Sequence, residues 1–154
     1  MTSGGIGGTN GLPRFEWRPW AFIALVSLAV VTVNASSDFL EMRRADLDFY
    51  WWEPLLWEIT SAIVIVAMAP LIGMAVRRWP PTRDNLIRPG LIHFGLTIPF
   101  AIVHVVGIFV MRESIYWLAQ AHYGFFDEGV GAVLFYEWRK DVLTYAVIAA
   151  TYWI

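Results

Sequence analysis

Three histidines, thirteen acidic and eleven basic residues, with no cysteine, supply the ionisable chemistry of this 154-residue chain. Without cysteine there are no disulfides, thiolate zinc sites, iron–sulfur clusters or thiol nucleophiles. The histidines are His93, His104 and His122. His93 and His104 fall on one apolar stretch, on nearly the same helical face but about 16 Å apart along the axis, too far to ligate one metal or one haem iron together. For His104 two readings stay open. One is a hydrogen bond to a neighbouring helix, such as the carbonyl of Gly95 or Val66, which Pro99 and Pro70 release from their ladders. The other is the centre of a haem- or quinone-binding membrane protein, since an ionisable group at that depth is a site candidate.

Glu58 is the one acid inside an otherwise uncharged segment, with Ser61 one turn on along its face. A carboxylate there must pair, take up a proton or face a wet cavity. At the same expected depth the last apolar segment opens with Tyr136-Glu137-Trp138-Arg139-Lys140-Asp141, and Arg112 closes the third segment. Glu137, Asp141, Thr144 and Tyr145 share a helical face, from which Arg139 and Lys140 turn away. Glu58, Arg112, Glu137, Arg139 and Asp141 therefore form a candidate ligand or coupling cluster, with His104, Ser61 and Tyr136 as secondary members. An ion-pair network that ties helix ends together has the same composition. No nucleophile–base pairing and no metal spacing is visible beside these carboxylates, so no catalytic residue, metal or cofactor is assigned.

The elements that position these residues follow from composition. The chain is 58% hydrophobic and 16% charged, with a mean hydropathy of +0.54, more apolar than one small soluble core can absorb. Nine Trp, ten Phe and six Tyr suit the interface belts of a bilayer. The formal net charge of −2 supplies no basic face for nucleic acid. The expected fold is an all-α integral membrane bundle of four transmembrane helices, over residues 20–36, 55–76, 91–112 and 138–154, in a domain spanning 15–154. Residues 1–14 are Gly-rich and predict a disordered tail; their glycine run follows no strand and lacks the Lys-Ser/Thr ending of a phosphate loop. The fourth segment is short for a bilayer and shows no stop signal, which predicts that it is truncated and that a C-terminal cytoplasmic domain is missing. The stretches 38–53 and 121–135 mix aromatics, acids and glycine and predict interfacial helices or re-entrant turns.

Orientation rests on short segments. Arg14, Arg18, Arg77, Arg78, Arg83 and Arg88 fall on one side; Arg43, Arg44, Arg112, Arg139 and Lys140 fall on the other, with most of the acids. This slight excess places both ends in the cytoplasm. A signal peptide ending at Val33-Asn34-Ala35 is the competing reading of the first segment.

Two blocks are distinctive: Trp52-Glu53-Pro54-Leu55-Leu56-Trp57-Glu58-Ile59-Thr60-Ser61 and Tyr136-Glu137-Trp138-Arg139-Lys140-Asp141-Val142-Leu143-Thr144-Tyr145. With four helices and an Arg-Arg-x-Pro-Pro loop, the chain resembles, over residues 15–154, the N-terminal membrane module of proteobacterial LytTR-family transcriptional regulators. The resemblance implies a sensory or anchoring input module, in a bacterial inner membrane, that controls an attached DNA-binding domain, so that DNA would be met only through that missing domain. Other partners then expected are the lipid bilayer, a small ligand or membrane protein, and a second copy in a homodimer. A non-catalytic partner-binding membrane subunit is the remaining alternative.

Overall fold

A computed structural model describes residues 17–82, 85–127 and 129–154. The tail expected over 1–14 lies outside the described residues. Four α-helices account for the architecture: α1 Trp17–Arg44, α2 Glu53–Arg78, α3 Ile87–Leu118 and α4 Val130–Trp153. Among the described residues there is no strand, only an isolated bridge between Thr82 and Asn85.

Each helix outruns its apolar stretch, because helix length follows backbone chemistry and hydropathy follows side chains. α1 continues beyond residue 36 through Asp38 to Arg44, with the Ser36 and Ser37 hydroxyls donating back to the Val33 carbonyl. Nothing in that stretch breaks a helix, and Arg43 and Arg44 sit favourably against the C-terminal dipole. Much of the expected interfacial segment 38–53 is therefore the end of α1, followed by a turn in which Asp46 adopts φ 52°. α2 opens with Pro54 in its first turn, where a missing N–H costs nothing. α4 starts at Val130, eight residues before the expected 138, directly after Gly129, whose φ of 93° and ψ of 141° only glycine adopts readily. The second half of the expected re-entrant stretch 121–135 is thus the first turn and a half of α4.

The helices run up, down, up, down. Asn34 of α1 meets Glu58 of α2 while Trp20 meets Val66, so these two are antiparallel; α3 reverses again, with Thr60 opposite Arg112. α2 touches the three other helices, α4 touches all of its neighbours, and α1 and α3 do not meet. The core gathers Ile23, Ala69, Ile72, Val76, Phe100, Tyr145 and Ile148. Two glycines bring backbones close: a Cβ on Gly73 would stand 2.8 Å from the Tyr152 ring, and one on Gly107 would stand 2.9 Å from Val64. Outward-facing side chains are mostly large and apolar, among them Phe22, Leu25, Leu91, Val106 and Leu143. α1, α2 and α3 are long and apolar enough to cross a membrane; α4 carries Glu137, Arg139, Lys140 and Asp141 in its first half.

Candidate functional site

Polar side chains that enter this bundle must find partners inside it, since an unpaired polar group away from water costs several kcal/mol by roughly any transfer scale. The residues of the expected outer cluster do so in separate places rather than together.

The first lies at the end of the bundle near the α1–α2 and α3–α4 connections. Arg112 is buried and spends its guanidinium on three acceptors: Nε donates to Thr60 Oγ1 (3.0 Å), Nη1 to the Tyr123 hydroxyl (2.9 Å) and Nη2 to the Trp57 carbonyl (2.8 Å). It also sits 5.7 Å from the Phe125 ring centroid, within cation–π range. Tyr123 stacks on Tyr116, whose hydroxyl donates to Glu53 Oε1 at 2.6 Å and accepts from Trp57 Nε1 at 3.1 Å. Burial pushes the Tyr123 phenol pKa up, the Arg112 guanidinium pulls it back, and the Glu137 and Glu113 carboxylates push it up again. Arg112 and Glu137 thus act on the same loop tyrosine. This assembly pins the 119–129 connection onto α2 and α3, a structural task.

The second is the edge between α1 and α2. Glu58 Oε2 accepts the Asn34 amide at 3.0 Å, so its partner comes from α1 and not from the cations of α3 or α4. Glu137 pairs with Lys140 at 3.3 Å within α4. Arg139 is exposed and lies 5.9 Å from the Phe135 ring centroid; Tyr136 is exposed beneath the Lys140 ammonium. Arg139 and Tyr136 therefore stand outside any enclosed site, because they occupy the face of α4 opposite its buried Glu137, Asp141 and Tyr145.

The third is in the centre. His104 on α3 is 2% exposed and Asp141 on α4 is 1% exposed. His104 Nδ1 lies 2.9 and 3.0 Å from the two Asp141 oxygens, and Nε2 lies 3.0 Å from Ser61 Oγ on α2. An ionised carboxylate only accepts, so Nδ1–H donates to Asp141. Nε2 then accepts the Ser61 hydroxyl proton or, when the ring is doubly protonated, donates to Ser61 and leaves that hydroxyl hydrogen free. One proton at His104 thereby switches Ser61 between spending its hydrogen inward and offering it outward. The contact of Ser61 with His104 is a hydroxyl–imidazole pair that no sequence spacing displays, and Asp141 leaves the outer cluster to orient the ring. His104 takes neither backbone carbonyl expected for it: the Val66 carbonyl freed by Pro70 accepts Trp20 Nε1 instead, at 3.1 Å.

Hydroxyl, imidazole and carboxylate in this order are two-thirds of the apparatus for acyl transfer. The missing third is a set of oxyanion donors. Ser61 lies well inside α2, where the backbone N–H groups are spent in the helical ladder. What the arrangement supports is hydrogen-bond donation and proton relay.

Ser61 faces a cleft of about 310 Å³ between α1, α2 and α4. Phe22, Val26 and Val30 of α1, Ala62 and Ile65 of α2, and Leu143 and Val147 of α4 make its walls apolar; Ser27, Glu58, Ser61, Thr144 and Thr151 are its polar members. A mostly apolar volume of this size with a few convergent polar groups is the usual form of a small-molecule site. His93 is engaged elsewhere: Nε2 donates to the Trp79 carbonyl (3.1 Å), and Nδ1 accepts the Tyr145 hydroxyl (2.9 Å). As neutral rings, His93 and His104 therefore carry opposite tautomers.

Thr60, Tyr123, Asn34 and the Trp57 carbonyl escape a reading by sequence. Hydropathy marks Arg112 as a helix end but carries no sign of which uncharged groups would receive it. Comparison with known protein-family models, curated proteins and solved structures gives no match for this chain.

Proposed function

We propose that this chain is the sensory input module of a membrane-bound regulator, with α1 to α4 all crossing the bilayer of a bacterial inner membrane and both ends in the cytoplasm. The observation that carries this reading is the wiring of the cleft. Ser61, on the cleft wall, is hydrogen-bonded through His104 to Asp141, so a ligand that engages Ser61 acts on contacts between α2, α3 and α4 at once. A ligand that favours one arrangement of these three helices shifts the population of that arrangement, which is all that sensing requires. α4 is the natural output element, since it bears Asp141 and borders the cleft.

The class of regulator rests on the resemblance to LytTR-family membrane modules, carried by the blocks 52–61 and 136–145. In that reading a LytTR-type domain beyond Ile154 meets DNA, and this chain meets lipid, ligand and a second copy of itself. Both parts are tested in the intact gene. The reading frame past Ile154 should continue into a LytTR-type domain, and chromosomal Ser61→Ala and Glu58→Gln should each change transcription of the regulated genes at least about fivefold, a shift of about 1 kcal/mol in the switching equilibrium. Transcription unchanged by both substitutions, at normal protein level in the membrane, contradicts the reading.

A further inference from the structure

The chemistry of the cleft narrows what it accepts. Its lining contains no lysine, arginine or histidine, so a fatty-acid carboxylate would enter beside Glu58 with no counter-charge. A cationic amphiphile would satisfy Glu58 but make no use of the proton shared between Ser61 and His104. Glu58 and Ser61 are three residues apart on one helical face, neighbours along the cleft wall. One is an acceptor and the other a hydroxyl backed by a proton-carrying ring. A neutral ring with oxygens at opposite corners, one able to accept and one able to donate in its reduced form, meets both. The remaining walls, Val26, Val30, Leu143 and Val147, suit an aliphatic tail. α1 rests mainly on α2 and barely touches α4, so a long tail leaves the cleft between α1 and α4 without having to part a packed seam.

We infer that the cleft binds a lipid-soluble 1,4-quinone or its quinol, with one ring oxygen on Ser61, the other facing Glu58, and the alkyl or prenyl tail lying between α1 and α4. This names the ligand class of the proposed input module and rests on that reading. In the quinone form both ring oxygens only accept: Ser61 donates to one of them when His104 Nε2 carries a proton and donates to Ser61, while the other lies beside Glu58 without a donor, so the quinone is held by that one hydrogen bond and its apolar contacts. In the quinol form the hydroxyl nearer Glu58 donates to its carboxylate. The two redox forms of the ligand thus prefer different proton arrangements of the Ser61–His104–Asp141 chain, and the module would report the redox state of the membrane pool.

The test uses the full chain in phosphatidylcholine nanodiscs, with 2-decyl-1,4-benzoquinone as probe and tryptophan emission as readout. The expected result is a saturable quenching phase above the linear collisional background. It should weaken by about tenfold in Ser61→Ala, the order expected for one hydrogen bond in an apolar site, and by at least as much in Ala62→Phe, which fills the cleft without touching the relay. Decylbenzene, equal in tail but lacking oxygens, should not displace it. Linear quenching alone, equal binding by both variants, or equal displacement by decylbenzene each overturns the inference. If quenching is only linear while Ser61→Ala still alters regulated transcription, the quinone is wrong and the input-module reading stands. Saturable, Ser61-dependent binding with unaltered transcription supports the quinone site and sinks the regulator.

Discussion

At the scale of single residues the fold is held by three polar groups with different tasks. Arg112 is the structural one: its three hydrogen bonds tie α3 to α2 and to the 119–129 connection. Arg112→Met keeps most of the stem packing and removes all three. Hydrogen bonds to a charged donor contribute about 1.5–3 kcal/mol each in soluble proteins and about 0.6 kcal/mol on average between membrane helices, so a total loss of about 2–4 kcal/mol is expected. Thermal unfolding in detergent micelles measures it, and a change under about 0.5 kcal/mol would show that the network contributes nothing beyond packing. Glu58 and Asp141 have other partners. The sequence puts all of these charges near one expected depth; it carries no signal for how they pair. Pairing is decided by rotation of each helix about its axis. A hundred degrees per residue separates Asp141, which meets His104, from Lys140, which reaches back to Glu137.

At the scale of elements, the four helices were legible from hydropathy and their ends were not. Only α2 matches its expected segment closely, with Arg77-Arg78 as its last residues, whereas α3 begins four residues early and runs six past its expected end, straight through Arg112 and Glu113. α1 and α4 departed as far, since backbone helicity ignores polarity and Asp38 or Glu137 sits in a helix as readily as in a loop. Pro70 and Pro99 interrupt α2 and α3 internally without ending them; the Trp20 indole makes good the Val66 carbonyl that Pro70 leaves free. The α2–α4 seam depends on Gly73, over which the Tyr152 ring lies. Gly73→Val is expected to push α4 away from α2 and lower the melting temperature by several degrees, whereas Gly73→Ala together with Tyr152→Leu, which removes the obstructing ring, should recover most of the loss. A cysteine pair introduced at Ala69 and Ile148, cross-linking in the parent chain and not in Gly73→Val, would report the displacement directly.

At the scale of the whole molecule, three helices long and apolar enough to cross a membrane pack with α4 around a buried hydrogen-bonded chain. α4 is the element in which two requirements compete: its charges lower its affinity for lipid, and the burial of Glu137 and Asp141, the latter against His104 of α3, keeps it in the bundle. Ser61, His104 and Asp141 are each candidates in the sequence, but their meeting is not legible there, because they lie on three different helices, separated by 43 and 37 positions, and no local spacing encodes it. The central claim is that these side chains form a continuous chain inside the lipid-embedded protein. Nitrogen-15 NMR of the histidine-labelled protein in nanodiscs tests it most directly. For neutral rings, His104 should show a protonated Nδ1 with a strongly downfield proton that is lost in Asp141→Asn, an Nε2 resonance that moves in Ser61→Ala, and the opposite tautomer at His93. A His104 ring that exchanges its proton as freely as exposed His122, and is indifferent to both substitutions, would contradict the account.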